Sequence, residues 1–279
     1  MKTYSFIIFL LFLNLPQNQL KEYNSFQKSE APSNCLIDNV SFKDNEELVY
    51  KVYYNWGIMW LSAAEVVFKV KEKKNGYHIS AVGKTYSSYE WLYKVNDKYE
   101  VFVDKETLLP QWSIKDIKEN NYTQYEKMVF NQEAGTVLST KGKTQKDATS
   151  VTIPIKDCAH DVLSILYFVR NYPFKSFKSG QSFPMNVFLD RETNNLTAKY
   201  NGIKKKQEIK GMGKFNAYSI SPGTIEGKVF EKGNTMKMFI SEDANHIPLL
   251  IETKLSVGSV KVALKSYKNL RYPLASKIE

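Results

Sequence analysis

The 279-residue chain is 43% hydrophobic and 24% charged, the balance of a globular protein with a core and not of a disordered one. Its length suits one large β domain or two small ones, and its 14% aromatic content favours β structure. The formal net charge of +10 can attract phosphate, anionic lipid or acidic glycan, but a lysine-coated sheet with protected edges explains it more simply.

The N-terminus has the pattern of a secretory signal. Lys2 precedes an apolar run over residues 4–15, and a polar stretch follows that run. The run is too short to cross a bilayer, which needs about 20 apolar residues. We therefore predict a signal peptide over residues 1–20, cleaved between residues 16 and 25. The mature chain is expected to be exported, periplasmic or associated with the cell envelope, and to lack a membrane span.

Beyond the signal, residues 21–40 are polar and predict a loose leader, and residues 41–274 predict a single β-rich domain. Period-two alternation of apolar residues indicates strands in the first half of that domain, at 47–54, 63–70, 77–85, 99–103, 112–118, 122–130 and 136–140. Asn75-Gly76 predicts a tight hairpin. Residues 86–96 fit a strand, a packed loop or a helical turn, whereas the polar residues 141–150 predict a mobile segment.

One segment departs from the β pattern. Within residues 158–171, apolar side chains recur at helical spacing and predict one amphipathic helix of three or four turns lying on a sheet. Asp157 is a suitable N-cap for this helix, and Pro173 prevents its continuation.

Strand patterns resume after this predicted helix. They are found at 183–189, 196–200, 203–210, 215–220, 229–230, 236–241, 249–255 and 259–267. Asn201-Gly202 predicts another tight hairpin. The expected fold class is mainly β: a large antiparallel sheet system, whether sandwich, barrel or half-barrel, with one amphipathic helix.

Few residues suggest chemistry. His160 and Asp161 are weak site candidates at the start of the predicted helix, where Cys158 and His160 could also ligate a metal or form a catalytic dyad. No second ligand pair and no recognisable catalytic or nucleotide-binding motif accompanies them. We therefore predict no catalytic residue, no metal and no cofactor. Lysines interleaved with aromatic residues could bind nucleic acid, but their strand periodicity favours core packing, so no nucleic-acid partner is expected.

The two cysteines of the predicted mature chain, Cys35 and Cys158, could form a disulfide after export or remain as two buried thiols. Their sequence contexts belong to a longer series of segments, which continues over residues 46–57, 63–66, 157–171 and 257–260. This series resembles the bacterial exported family catalogued as domain of unknown function 3108, although Ala64 stands where that family more typically has Gly. The resemblance covers residues 35–272 and implies an exported β-rich domain with a Cys35–Cys158 bridge. It implies no catalytic residue.

Three functions remain in competition at this stage. The leading hypothesis is a non-enzymatic envelope protein whose β scaffold binds a lipid, a glycan or an envelope partner. The second is a structural or assembly protein without a small ligand. The third is a periplasmic hydrolase of an acidic polymer, with His160 and Asp161 near its site.

Overall fold

The structure is a computed structural model that describes residues 35–56, 59–156, 158–223, 236–255 and 258–278. Fourteen strands lie within these ranges. They are β1 (Glu47–Trp56), β2 (Met59–Lys73), β3 (Gly76–Thr85), β4 (Asn96–Asp104), β5 (Pro110–Glu119), β6 (Tyr122–Asn131), β7 (Thr136–Gly142), β8 (Thr149–Pro154), β9 (Ser182–Leu189), β10 (Glu192–Ile209), β11 (Gly213–Ser221), β12 (Lys237–Ser241), β13 (Pro248–Lys254) and β14 (Ser259–Lys268). The prediction of a mainly β, antiparallel fold with one helix is confirmed.

All fourteen strands belong to one antiparallel sheet in which neighbours in sequence pair in space. The order is β8-β7-β6-β5-β4-β3-β2-β1-β14-β13-β12-β11-β10-β9. The sheet thus consists of two meanders, β1 to β8 and β9 to β14, joined at their centre by the pairing of β1 with β14. Its two edges are β8 and β9, and the segment of chain that connects them runs into the interior of the sheet.

The one α-helix within the described ranges, α1 (Ser164–Val169), lies within that connecting segment and is buried along most of its length. Apolar side chains of α1 face β9, β11 and β12 on one side, and the turn that precedes it faces β1 to β4 on the other. The sheet therefore wraps around α1, and one core cluster includes side chains of both meanders. The predicted limits of the domain, 41–274, stay a prediction.

The predicted helix over residues 158–171 was too long, because α1 has only six residues. Cys158 has a left-handed backbone (φ 56°), which a helix does not tolerate. His160 pairs with the edge of β9, where its N–H donates to the Asn186 carbonyl (2.9 Å) and its carbonyl accepts from the Phe188 N–H (2.7 Å). The backbone before α1 therefore extends the sheet. The proposed N-cap, Asp157, lies outside the described residues.

The hairpin predicted at Asn201-Gly202 was also wrong, because β10 continues through it to Ile209. The register of β10 against β11 shifts between Tyr200 and Ile203, and Gly202 has φ 92°. Glycine supplies the positive φ that a bulge requires, so the turn signal marks a bulge within one long strand.

The segment 141–150 is more ordered than its composition predicted. Strand β7 reaches Gly142, and β8 begins at Thr149, with residues 143–148 forming the bend between them. β8 is an edge strand in which only Val151 and Ile153 alternate with exposed residues, too short an apolar pattern to predict a strand. Residues Ser87–Tyr89 form a 3-10 turn in the ambiguous segment 86–96. The strand predicted at 229–230 lies outside the described residues.

Candidate functional site

His160 and Asp161 lie next to each other under the sheet, where both help to start α1. Asp161 Oδ1 accepts from the Ser164 N–H (2.8 Å), and Ser164 Oγ accepts from the Asp161 N–H (3.1 Å). This reciprocal pair is a capping box displaced into the interior. His160 Nδ1 lies 3.1 Å from Ser164 Oγ, and its ring packs 4.4 Å from that of Phe168.

The three side chains Ser164, His160 and Asp161 do not form a hydrolase triad. Asp161 bonds to the backbone of Ser164 and not to the imidazole, which a triad carboxylate would orient. Burial lowers the pKa of His160 to about 3 and raises the pKa of Asp161, so both neutral forms are favoured. His160 is only 1% exposed, which leaves no room for a polymer substrate. Within the described ranges, no group of three His, Cys, Asp or Glu side chains could hold a metal.

Cys35 and Cys158 form a disulfide bond in the structure, with their Cα atoms 5.3 Å apart. Neither sulfur is therefore a free thiolate that could act as a nucleophile or a metal ligand. The bond ties the start of the described chain to the segment between β8 and β9.

A buried ion pair at the end of α1 was not foreseen from the sequence. Arg170 Nη1 and Nη2 donate to Glu46 Oε1 (2.6 Å) and Oε2 (2.8 Å), a bidentate arrangement. The guanidinium also donates to the Asn245 carbonyl and lies over the rings of Phe42 and Tyr167, 5.5 Å and 5.1 Å from their centroids. Both ionised side chains are thus compensated without solvent.

Two further segments of the chain contact the residues at the end of α1. The Asn171 amide oxygen accepts from the Val40 and Ser41 N–H groups, and its amide nitrogen donates to the Tyr167 carbonyl. His246 Nδ1 lies 2.6 Å from the Arg170 carbonyl. Arg170 and Asn171 therefore hold the N-terminal segment and the β12–β13 loop against α1, which is a structural task.

An apolar crevice lies beside these residues, between the α1 segment and the inward faces of β1 to β4. Its volume is about 60 Å³, several times the 10–15 Å³ that one water molecule needs. Its walls include side chains from both the sheet and the segment around α1: Leu48, Phe68, Ala81, Tyr99, Val162 and Leu166. Arg170 is the charged residue at its lining, and Glu46 already occupies that guanidinium. The crevice can therefore hold a few apolar atoms, and a longer hydrocarbon chain would have to extend outwards from it.

A sequence profile described as a protein of unknown function, DUF3108, matches residues 49–265 of the chain. The chain belongs to the DUF3108 family. The match includes most of β1 through most of β14 and the whole segment around α1, so the wrapped sheet is the fold of this DUF3108 member. No curated protein matches it.

Among solved structures, a β-barrel-like protein of the DUF1849 domain from Brucella abortus shares the fold. It has a TM-score of 0.55 and 11% identity, and the alignment covers 85% of this chain and 100% of that one. A candidate lipoprotein from Parabacteroides distasonis (TM-score 0.31, 11% identity, 83% and 99% coverage) and a candidate exported protein with a YmcC-like fold from Bacteroides fragilis (0.30, 9%, 83% and 99%) overlap too little to describe a shared fold.

In this DUF3108 protein, two of the segments that carried the resemblance meet at the end of α1. The segment 46–57 supplies Glu46, and the segment 157–171 supplies Arg170; the two residues are 124 positions apart. The sequence showed that both segments resemble the family, but it could not show that Arg170 bonds to Glu46. Among the described residues, no helix is long and apolar enough to cross a membrane.

Proposed function

We propose that this DUF3108 protein is exported by a signal peptide over residues 1–20 and acts as a non-enzymatic envelope protein that binds the apolar part of a ligand inside its sheet. The crevice between α1 and β1 to β4 is the observation that carries this proposal, because it is an apolar space of about 60 Å³ inside the core. The buried disulfide supports an oxidising compartment outside the cytoplasm.

The crevice also argues for a ligand over a purely structural role. Close-packed interiors leave few voids larger than a water molecule, and filling one with apolar side chains usually stabilises a protein. Ala81 presents only a methyl group to the crevice, on a strand whose other inward positions include Tyr77 and Ile79. A larger residue at position 81 would fill the space, so a small one there suits the binding of a hydrocarbon group.

Octanol is the test ligand, because it is uncharged and the end of its short hydrocarbon chain can enter the crevice. We expect octanol to shift the NMR resonances of Ala81 and Tyr99, and Ala81→Leu to weaken its binding at least tenfold. Val82→Leu is the matched control, since Val82 lies on the same strand with its side chain on the opposite face. The crevice is not the site if octanol shifts only resonances of residues outside it in the wild type. The same conclusion follows if the wild type and Ala81→Leu bind octanol with equal affinity.

Circular dichroism must show that Ala81→Leu is folded, because a leucine whose shape does not match the free space would strain the core. If the variant is not folded, the resonances that octanol shifts in the wild type decide whether the crevice is the site. For the export step, N-terminal sequencing of the protein from the periplasmic fraction should give a start between residues 16 and 25. An intact N-terminus in the cytoplasmic fraction would contradict export.

A further inference from the structure

A single row of the sheet register leads from the apolar crevice into a polar region. The paired residues of this row, taken from β1 to β7, are Leu48, Phe68, Ala81, Tyr99, Lys115, Glu126 and Lys141. All of its first four members line the crevice. Tyr99 also lines a second cavity, of about 10 Å³, together with Lys115, Glu126 and Asp190. Neighbouring strands lie about 4.8 Å apart, so Lys115 is one strand spacing from the crevice wall.

Lys115 is the unusual member of this row. Its side chain is only 11% exposed, and within the described part of the chain it has one ion-pair partner, Asp190 Oδ1 at 3.8 Å. That distance is too long for a hydrogen bond. Burying an ammonium without hydrogen bonds is costly, and an apolar residue would serve a core better. Asp190 Oδ1 instead lies close to Lys141 Nζ, at 2.9 Å.

The turn that carries Asp190 is itself strained. Asp190 and Arg191 have φ values of 50° and 70°, a left-handed pair that usually requires Asn and Gly. Both side chains reach across the gap between the sheet edges: Arg191 donates to Ser139 Oγ (3.1 Å) and to the Thr149 carbonyl (3.0 Å). Strain of this kind persists where the surroundings enforce it and often marks a functional site.

Charged groups of both signs surround Lys115. Lys115 lines the second cavity together with Glu126, Asp161 and Asp190, and Lys141 and Arg191 lie at the same edge of the sheet. Glu126 Oε1 accepts from Ser139 Oγ (2.9 Å), and Asp190 is shared by two lysines.

Two acids of this region already accept hydrogen bonds from other groups. Glu119 accepts from the Tyr93 hydroxyl (2.8 Å), and Asp161 accepts from the Ser164 N–H (2.8 Å). Because both already have donors, the unused donors of Lys115 are the group best placed for a ligand.

We propose that Lys115 binds the anionic head group of an amphiphile whose hydrocarbon chain occupies the crevice. This inference rests on the proposed function, since it assigns the polar end of the same ligand. Tyr99 lies between the two parts of the site, because it lines the crevice and pairs across the sheet with Lys115, which binds the anion. The ligand class is therefore a carboxylate or phosphate lipid and not a neutral one.

The test compares octanoate, octanol and octyltrimethylammonium at pH 7.5, where the three head groups are anionic, neutral and cationic. We expect the wild type to bind octanoate at least tenfold more tightly than octanol, the gain typical of one charge-assisted hydrogen bond. Lys115→Met should remove that preference and leave octanol binding within twofold. Lys127→Met is the matched control, because Lys127 is an exposed lysine on β6 with its side chain on the outer face. It should change neither affinity.

The outcomes separate the two proposals. If octanol and octanoate bind equally to the wild type, or octyltrimethylammonium binds as tightly as octanoate, the head-group site is wrong while the apolar crevice stands. If none of the three binds, the proposed function fails as well. Acetate should not displace octanoate at equal concentration, and displacement would show a free-anion site instead. The wild-type comparison needs no variant, so it decides the matter even if Lys115→Met fails to fold.

Discussion

Arg170 and Lys115 are two buried cations with different surroundings. The Arg170 guanidinium has a bidentate carboxylate, a carbonyl and two aromatic rings around it, whereas the Lys115 ammonium has one distant carboxylate. A buried cation with full compensation is a structural element, and one with unused donors is a binding group. For this reason we assign a role in stabilising the fold to Arg170 and a role in binding the ligand to Lys115.

The Arg170–Glu46 pair gives a direct test of the structural assignment. Glu46→Gln keeps the shape of the side chain but leaves the guanidinium without a counter-charge, and we expect it to cost about 3–5 kcal/mol of unfolding free energy. Glu252→Gln is the control, because its pair with Lys261 is partly exposed and should change stability by less than about 1 kcal/mol. Urea unfolding measures both. Equal losses in the two variants would mean that the buried pair is not a central contact.

Residue roles were the part of this protein that sequence predicted least. His160 and Asp161 stand out in a sequence because histidine is rare in this chain, yet they serve to start α1. Lys115 looks like any strand lysine until the register shows that its side chain faces inwards beside Tyr99. Pairing across strands decides such roles, and pairing is a property of the folded sheet.

At the scale of elements, period-two alternation predicted most strands because each buries one face. It failed at β8, where only two apolar side chains alternate in an exposed edge strand, and at β10, where a bulge resembled a turn. Apolar residues before α1 do recur at helical spacing, but the backbone at His160 forms hydrogen bonds with β9 instead of continuing the helix. Tertiary pairing therefore overrode a local preference.

The turn between β13 and β14 offers a prediction at this scale. Gly258 has φ 81°, and a Cβ there would lie 2.2 Å from the Asn55 carbonyl oxygen. Gly258→Ala should therefore displace the backbone of β1 in addition to the left-handed strain of about 1 kcal/mol. Gly211→Ala is the matched control, since Gly211 has a similar φ of 80° and open space around its Cα.

We expect Gly258→Ala to lower the melting temperature clearly more than Gly211→Ala does. Differential scanning calorimetry of the two variants makes the comparison. A smaller effect at Gly258 would show that the turn can move away from Asn55.

At the scale of the whole molecule, the sheet depends on contacts between distant parts of the chain. β1 pairs with β14 across about 200 residues, and side chains of β9 and of the β9–β10 turn contact the strands near the opposite edge of the sheet. Loop closure over such distances costs conformational entropy before contacts compensate for it. A covalent link across the interior reduces that cost.

The Cys35–Cys158 bridge is this link, because it joins residues 123 positions apart and fixes the N-terminal segment to the chain between β8 and β9. In the chain-entropy account, removing a bridge that closes a loop of this length costs about 4–5 kcal/mol. The double variant Cys35→Ala/Cys158→Ala should lose that much stability in urea unfolding, and dithiothreitol should lower the wild type to the same level while leaving the variant unchanged. A wild type that is indifferent to dithiothreitol under unfolding conditions would mean that the bridge contributes nothing to stability. The contacts of Arg170 and Asn171 would then hold the N-terminal segment in place.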